Sequence, residues 1–83
     1  MLRKESASGE TTLALVPPGG RCRLRGVNAG QGLSLRLVAM GLLPGSEVKV
    51  LDNLGGPVRL DVDGSRLTLG RGAAEKVLVE VLS

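Results

Sequence analysis

Hydrophobic and polar residues alternate in several short stretches of the chain. Within Arg21–Val27, Cys22 and Leu24 face one side and three arginines face the other. A period of two is typical of a β-strand with one buried face. The same alternation predicts strands over residues 46–51, 58–62, 66–69 and 77–82. With the apolar run at residues 13–16, which stops at a Pro-Pro-Gly-Gly turn, the pattern predicts five or six strands.

The hydrophobic period lengthens after the second of these strands. Leu33, Leu37 and Met40 are spaced at i, i+4 and i+7, with Val38 alongside. These positions are predicted to share one face of a helix. Ser34 is the predicted N-cap residue of this helix, which has about two turns. A single helical turn is expected at residues 70–76, just before the last strand.

Glycine and proline mark the ends of these elements. Gly41 directly follows the helix and suits a left-handed C-terminal cap, with Leu42 packing back against the helix. The sequence Leu43-Pro44-Gly45 has the residue order of a type II turn. Asp63-Gly64 lies between two predicted strands and is the strongest hairpin signal in the chain.

Together these elements predict a mainly β fold. Five or six short strands, a short helix after strand 2 and a helical turn before the last strand fit a small SH3-like barrel, because a closed sheet protects its edges. We place this domain at residues 13–83. Residues 1–12 are polar and aperiodic, so we expect them to form a disordered lead. A length of 83 residues favours one domain.

The composition excludes several kinds of chemistry. The chain has no histidine, no aromatic residue and one cysteine. The chain therefore lacks the usual ligands of a transition-metal site and the usual residue of acid–base catalysis. It also has no aromatic side chain on which a nucleobase could stack. We therefore predict no enzyme activity, no catalytic residue and no nucleic-acid partner. A lone thiol also fits a reducing compartment, and we expect a cytoplasmic protein.

Charge and hydropathy add little to this interpretation. The net charge is +3, with six basic and two acidic residues in 1–36 and five basic and six acidic residues in 37–83. This bias is far weaker than that of a nucleic-acid-binding tail. The apolar runs are too short to span a bilayer, so we predict no membrane insertion.

Three candidate ligand sites are better explained by structure. Cys22 lies on the apolar side of its strand, so we interpret it as a buried small hydrophobe. The glycine-rich stretches lack the Gly-Lys-Ser/Thr ending of a phosphate-binding loop, so no nucleotide cofactor is predicted. The carboxylates alternate outward without calcium-loop spacing, so no metal site is predicted; they are Glu47, Asp52, Asp61, Asp63 and Glu80.

Three motifs follow one another along the chain. They are Pro-Gly-Gly-Arg-Cys-Arg-Leu at residues 18–24, Met-Gly-Leu-Leu-Pro-Gly at residues 40–45 and Gly-Gly-Pro-Val at residues 55–58. With the hydrophobic positions around them, they cover residues 13–81 and resemble the ferrous iron transport protein A (FeoA) family. Ala39 and Gly70 depart from this pattern, because an acidic and a basic residue are common there.

The resemblance implies an SH3-like barrel and a cytosolic accessory role in bacterial ferrous iron uptake. The implied partner is the membrane Fe(II) permease of the FeoB type, which carries a cytosolic GTPase domain. Two sets of residues are candidates for partner binding. The first is the segment after the helix, namely Met40, Leu42, Leu43 and Pro44, and the second is the basic row Arg21, Arg23 and Arg25.

Each set also has a purely structural interpretation. The first can be a helix cap and a turn, with Leu42 anchoring the barrel. The second can be a solvated strand face whose arginines pair with Asp61 or Asp63. Two other functions remain open, a nucleic-acid-binding SH3-like module and a free-standing regulatory module like the C-terminal domain of metal-dependent repressors.

Overall fold

Six antiparallel strands form one sheet in the computed structural model, which describes residues 9–82 of the chain. The strand order is β1-β6-β2-β3-β4-β5. Two helices complete the fold: α1 lies between β2 and β3, and α2 lies between β5 and β6. The bounds are β1 Glu10–Thr12, β2 Arg21–Val27, α1 Gln31–Ala39, β3 Glu47–Asp52, β4 Val58–Val62, β5 Ser65–Leu69, α2 Arg71–Ala74 and β6 Val77–Val81.

The prediction of a mainly β domain with a helix after the second strand is confirmed. The first strand, however, lies earlier than expected. Glu10–Thr12 form β1, which pairs with β6, so the predicted disordered lead is wrong for these residues, and residues 1–8 lie outside the described part of the chain. The apolar run that follows forms a 3-10 turn over Leu13–Leu15.

The interior is entirely apolar. Among residues 9–82, sixteen hydrophobic residues are buried and no polar or charged residue is. Strand β2 shows the predicted alternation, because Cys22 and Leu24 are buried while its three arginines are exposed. The core is Leu13, Ala14, Val16, Cys22, Leu24, Leu37, Leu42, Val48, Val50, Val58, Leu60, Val62, Leu69, Ala74, Val77 and Val79.

Helix α1 starts earlier than the sequence predicts. Its N-cap is Gly30, in an extended conformation and without a side-chain cap hydrogen bond, so the assignment of Ser34 as the N-cap is wrong. The first turn of the helix includes Gln31 and Gly32. Neither residue is hydrophobic, so the hydrophobic pattern does not show that the helix begins there. The predicted inner face is confirmed for Leu37, which is buried, and for Leu33 and Met40, which pack against the core. It is wrong for Val38, which is 49% exposed because its position on the helix turns it away from the core.

The end of α1 has the predicted left-handed cap. Gly41 has φ +88° and donates its N–H to the carbonyl of Val38 at 2.9 Å. The N–H of Leu42 reaches the carbonyl of Leu37 at 2.8 Å. These two bonds define a Schellman motif. They turn the chain back so that Leu42 enters the core beside Leu37.

Both predicted turns are confirmed. In the first, Ser46 donates its N–H to the carbonyl of Leu43 at 2.9 Å, and Gly45 has φ +93°, as a type II turn requires. In the second, Asp63 and Gly64 have φ of 53° and 85°, as in the type I′ turn of a two-residue hairpin. The first turn fixes the segment that leads from α1 into β3.

Candidate protein-docking surface

The outward side of α1 carries exposed hydrophobic residues. Leu35 is 67% exposed and Val38 is 49% exposed. Gln31, Gly32 and Ala39 are exposed beside them. At 100° per residue these positions fall on one side of the helix, opposite the residues that face the core. We call these five residues the α1 outer face.

The predicted docking residues at the end of α1 and after it differ in their exposure to solvent. Leu43 is 47% exposed and Pro44 is exposed, so both can contact a partner. Met40 is partly buried against the core. Leu42 is only 2% exposed, so its inclusion among the docking residues is wrong, because the Schellman turn directs its side chain inward.

Charge is nearly absent from the segment of the chain that contains α1 and the turn after it. Between residues 28 and 46 the only charged side chain is that of Arg36, which is exposed. No carboxylate of residues 9–82 forms an ion pair with it. An apolar surface with one unpaired cation at its margin is suited to contact with another macromolecule.

The basic row on β2 is largely balanced by neighbouring acids. Arg21 donates to Glu47 from Nε at 2.9 Å and from Nη2 at 2.7 Å. Arg25 donates from Nη1 to Glu80 at 3.1 Å. The expected pairing with Asp61 or Asp63 is therefore wrong, because the carboxylates on the strands adjacent to β2 are nearer.

Arg23 lies between these two pairs. Its partners in strand register are Glu47 on β3 and Glu80 on β6, but both carboxylates bond diagonally to Arg21 and Arg25. Such exposed pairs add little stability, although they reduce the net charge of the row. The α1 outer face is therefore a better docking candidate than the basic row.

A polar cluster at the other end of the sheet was missed by the sequence analysis. The Nδ2 atom of Asn53 donates to the carbonyls of Ala14 and Val16, at 2.9 and 2.8 Å. Arg71 donates to Oδ1 of Asn53 and, from Nε, to the carbonyl of Gly56 at 2.9 Å. The cluster joins the 3-10 turn, the β3–β4 loop and α2. Leu15 and Leu54, which are next to Ala14 and Asn53 in sequence, are both exposed.

Cys22 has the surroundings of a core residue. Its side chain is 0% exposed, as the sequence predicts. Burial raises the pKa of its thiol from 9.0 to about 11, because the thiolate would lose its hydration. The thiol is therefore protonated at neutral pH and is a poor nucleophile.

This pKa shift predicts a loss of stability in alkali. The unfolded chain loses the thiol proton near pH 9 and the folded chain near pH 11, so the free energy of unfolding falls as pH rises between these values, by up to about 1.4 kcal/mol per pH unit. Urea unfolding followed by circular dichroism measures this fall. A Cys22→Ala variant should show a shallower fall, and parallel falls in the two proteins would show that another group titrates.

The described residues contain neither a cluster of metal ligands nor a membrane-spanning helix. Across residues 9–82, no group of three or more carboxylate or thiol side chains is placed to hold a metal ion. No helix within the same range is long and apolar enough to cross a membrane.

The sheet order, the helix between β2 and β3 and the exposed apolar helix face define a small SH3-like domain with a surface suited to protein contact. Known proteins share this architecture. A FeoA protein from Stenotrophomonas maltophilia, described as a prokaryotic SH3 domain protein and solved with zinc, is 25% identical. It covers 84% of this chain and 89% of its own, with a TM-score of 0.74.

The chain belongs to the FeoA family, whose domain matches residues 11–81. A relative from Methanocaldococcus jannaschii is 41% identical over 68 residues. It bears the name Fe(2+) transport protein A. That match covers 82% of this chain and 83% of the relative. The crystal structure of a FeoA iron uptake regulatory protein is 32% identical and covers 88% of this chain and 99% of its own, with a TM-score of 0.84.

Metal-dependent repressors share the fold as well. IdeR from T. acidophilum superposes with a TM-score of 0.81 over 99% of this chain, at 19% identity. The match covers 37% of the repressor. At this identity the likeness concerns the fold alone.

Proposed function

We propose that this protein is a cytoplasmic accessory protein of ferrous iron uptake. It docks on the cytosolic GTPase part of the membrane Fe(II) permease and modulates the activity or the assembly of that permease. It contributes a binding surface and no chemistry of its own.

One observation carries the proposal: a member of the FeoA family presents an exposed, nearly uncharged helix face. The family match covers most of the chain. The 41% identical relative bears the name of an Fe(2+) transport protein, and the S. maltophilia protein has been put forward as a ferrous iron transport activating factor. Exposed Leu35, Val38 and Leu43 offer the apolar contact that such a role needs.

A binding titration tests the proposal. Labelled protein is titrated against the detergent-solubilised ferrous permease of the same organism, with and without GTP. We expect saturable binding with a dissociation constant near 10⁻⁶ M, typical of a small transient interface. It should persist at moderate salt, because apolar contacts are not screened. Absence of binding in every nucleotide state would contradict the proposal.

A second readout separates docking from modulation. Adding the protein to the reconstituted permease should raise its iron uptake or its GTP turnover. A Leu43→Gln variant should bind more weakly, because Leu43 is an exposed hydrophobic residue in the segment that follows α1. If nuclease-sensitive, salt-sensitive retention of RNA appeared during purification instead, the nucleic-acid alternative would replace this function.

A further inference from the structure

We propose that the α1 outer face binds a helix of a different protein, and that this helix carries an apolar stripe with an acidic residue placed against Arg36. The identity of the partner as the permease rests on the proposed function. The chemistry of the contact rests on α1 itself.

The shape of the α1 outer face suits a second helix. Leu35 and Val38 project as large side chains, while Gly32 and Ala39 are small. Gly32, Leu35 and Ala39 follow the i, i+3, i+7 spacing of one helical stripe. Packed helices approach to about 8–10 Å, and the nearer limit needs small residues at the contact. A partner side chain can therefore enter beside Leu35, over Gly32 or Ala39.

The positive charge of Arg36 favours a partner that carries an acidic residue at the contact. Arg36 is one position, about 100°, around the helix from Leu35, so it lies at the margin of the α1 outer face. Arg21 and Arg25 already bond to glutamates of this chain, whereas no carboxylate of residues 9–82 bonds to Arg36. A carboxylate from the partner would form a charge-assisted pair with Arg36.

The same charge argues against a second copy of this chain as the occupant. In a two-fold antiparallel packing of α1 centred on Leu35, both Arg36 side chains lie on the same side of the contact. Two residues of rise separate them by only about 3 Å along the helix axis. Across the contact the helix axes are about 8–10 Å apart, so the two like charges repel only weakly. A second copy offers no acid in this segment to pair with Arg36, whereas a different protein can supply one.

A synthetic peptide tests the contact without the permease. The probe is an amphipathic helical peptide of about five turns, roughly 18 residues, with a leucine–alanine stripe flanked by glutamates. Its counterpart has lysines in place of the glutamates. Titration of ¹⁵N-labelled protein should shift the amides of α1, with the glutamate peptide binding about 5- to 10-fold more tightly. An Arg36→Glu variant should reverse this preference.

Two results of the peptide titration would overturn the inference. One is a set of shifts centred outside α1, for example on the β3–β4 loop. The other is equal binding of the acidic and basic peptides, which would leave Arg36 without a role. Self-association of the protein through α1, seen as concentration-dependent shifts without peptide, would favour the second copy and also overturn it.

Measuring how variants bind to the permease distinguishes a failure of this inference from a failure of the proposed function. Leu35→Gln should weaken permease binding about 10-fold, and helix formation should survive because glutamine and leucine have similar helix propensities. Leu54→Gln is the matched control, since Leu54 is 84% exposed in the β3–β4 loop, and it should change binding less than twofold. If wild-type protein binds but Leu35→Gln binds equally well, only this inference fails. If wild-type protein does not bind but the peptide pattern holds, only the proposed function fails.

Discussion

Replacing Asn53 with alanine is expected to lower the free energy of unfolding by about 2–4 kcal/mol. The Asn53 amide donates two hydrogen bonds, to the carbonyls of Ala14 and Val16. Val16 is 1% exposed and Ala14 is 6% exposed, so water replaces the lost donor poorly. The Val16 carbonyl would then have no partner among the described residues, which costs about 1–3 kcal/mol, and the Ala14 carbonyl would keep only the long contact with Arg71. For a domain this small, that is a large share of the total stability.

The loss should extend beyond the two carbonyls. Oδ1 of Asn53 accepts from Arg71, which also reaches the carbonyl of Gly56. Without the amide, the guanidinium keeps Gly56 and a longer contact to the Ala14 carbonyl at 3.4 Å. Among residues 9–82, the hydrogen bonds that still join the 3-10 turn to the β3–β4 loop then all involve Arg71. Destabilisation should therefore be accompanied by faster amide exchange in the 3-10 turn.

Circular dichroism during urea or thermal unfolding measures the effect, since the chain has no tryptophan. A loss of 1 kcal/mol corresponds to about 4–8 °C in Tm for a domain of this size. Asn28, the other asparagine of the chain, is the matched control, because it is exposed. Asn28→Ala should change stability by less than about 0.5 kcal/mol. Equal effects of the two substitutions would show that the Asn53 hydrogen bonds do not hold the loop.

Strands with one buried face could be predicted from the sequence almost to the residue. Val58–Val62 was expected and is β4, because alternation along a strand directly reports which side chains enter the core. The β4–β5 turn was also predictable, since Asp63 and Gly64 tolerate the positive φ that it requires. In both cases the signal lies within a few neighbouring residues.

Elements held by distant parts of the chain could not be predicted in this way. Strand β1 is short and polar, and it exists because β6 offers it hydrogen bonds, with Thr11 opposite Val79. Asn53 likewise bonds to carbonyls 37 and 39 positions away. An asparagine in a loop usually indicates a turn, and only the folded chain shows what this one contacts.

The proposed docking surface could be predicted only in part. The helical period identifies residues that share a face, and it places Leu33, Leu37 and Met40 correctly on the inner face, whereas Val38 is exposed. Leu35 was missed because it lies opposite that face, where a polar residue is the ordinary choice. A helical wheel over residues 31–39 would have shown hydrophobic residues on both sides. A helix with two apolar faces needs a second partner or exposes one face, and here α1 exposes it.

The α1 outer face depends on the cap that ends the helix. Gly41 reverses the chain, Leu42 anchors it in the core, and Leu43 emerges on the surface. The exposed leucines at 35 and 43 therefore precede and follow one cap, whose geometry requires a positive φ at Gly41. Stability and binding are linked at this position.

Gly41→Val should lower the free energy of unfolding by about 2–3 kcal/mol. Gly41 has φ +88°, and no atom lies within 4 Å of the position that a Cβ would take. Steric overlap with the surroundings is therefore absent, and the cost is the left-handed backbone itself, which is most unfavourable for a β-branched residue. Gly41→Asn should cost less, because asparagine tolerates this conformation. Thermal unfolding by circular dichroism or calorimetry ranks the variants.

A D-amino acid at the same position gives the sharpest control. D-Alanine prefers positive φ and restricts the unfolded chain, so it should stabilise the protein by up to about 1 kcal/mol. L-Alanine should destabilise it by about 1–2 kcal/mol. A side chain of the same size then changes the sign of the effect through chirality alone. If both alanines destabilised the protein equally, crowding and not backbone conformation would explain the glycine, and the cap would not be what holds Leu43 in place.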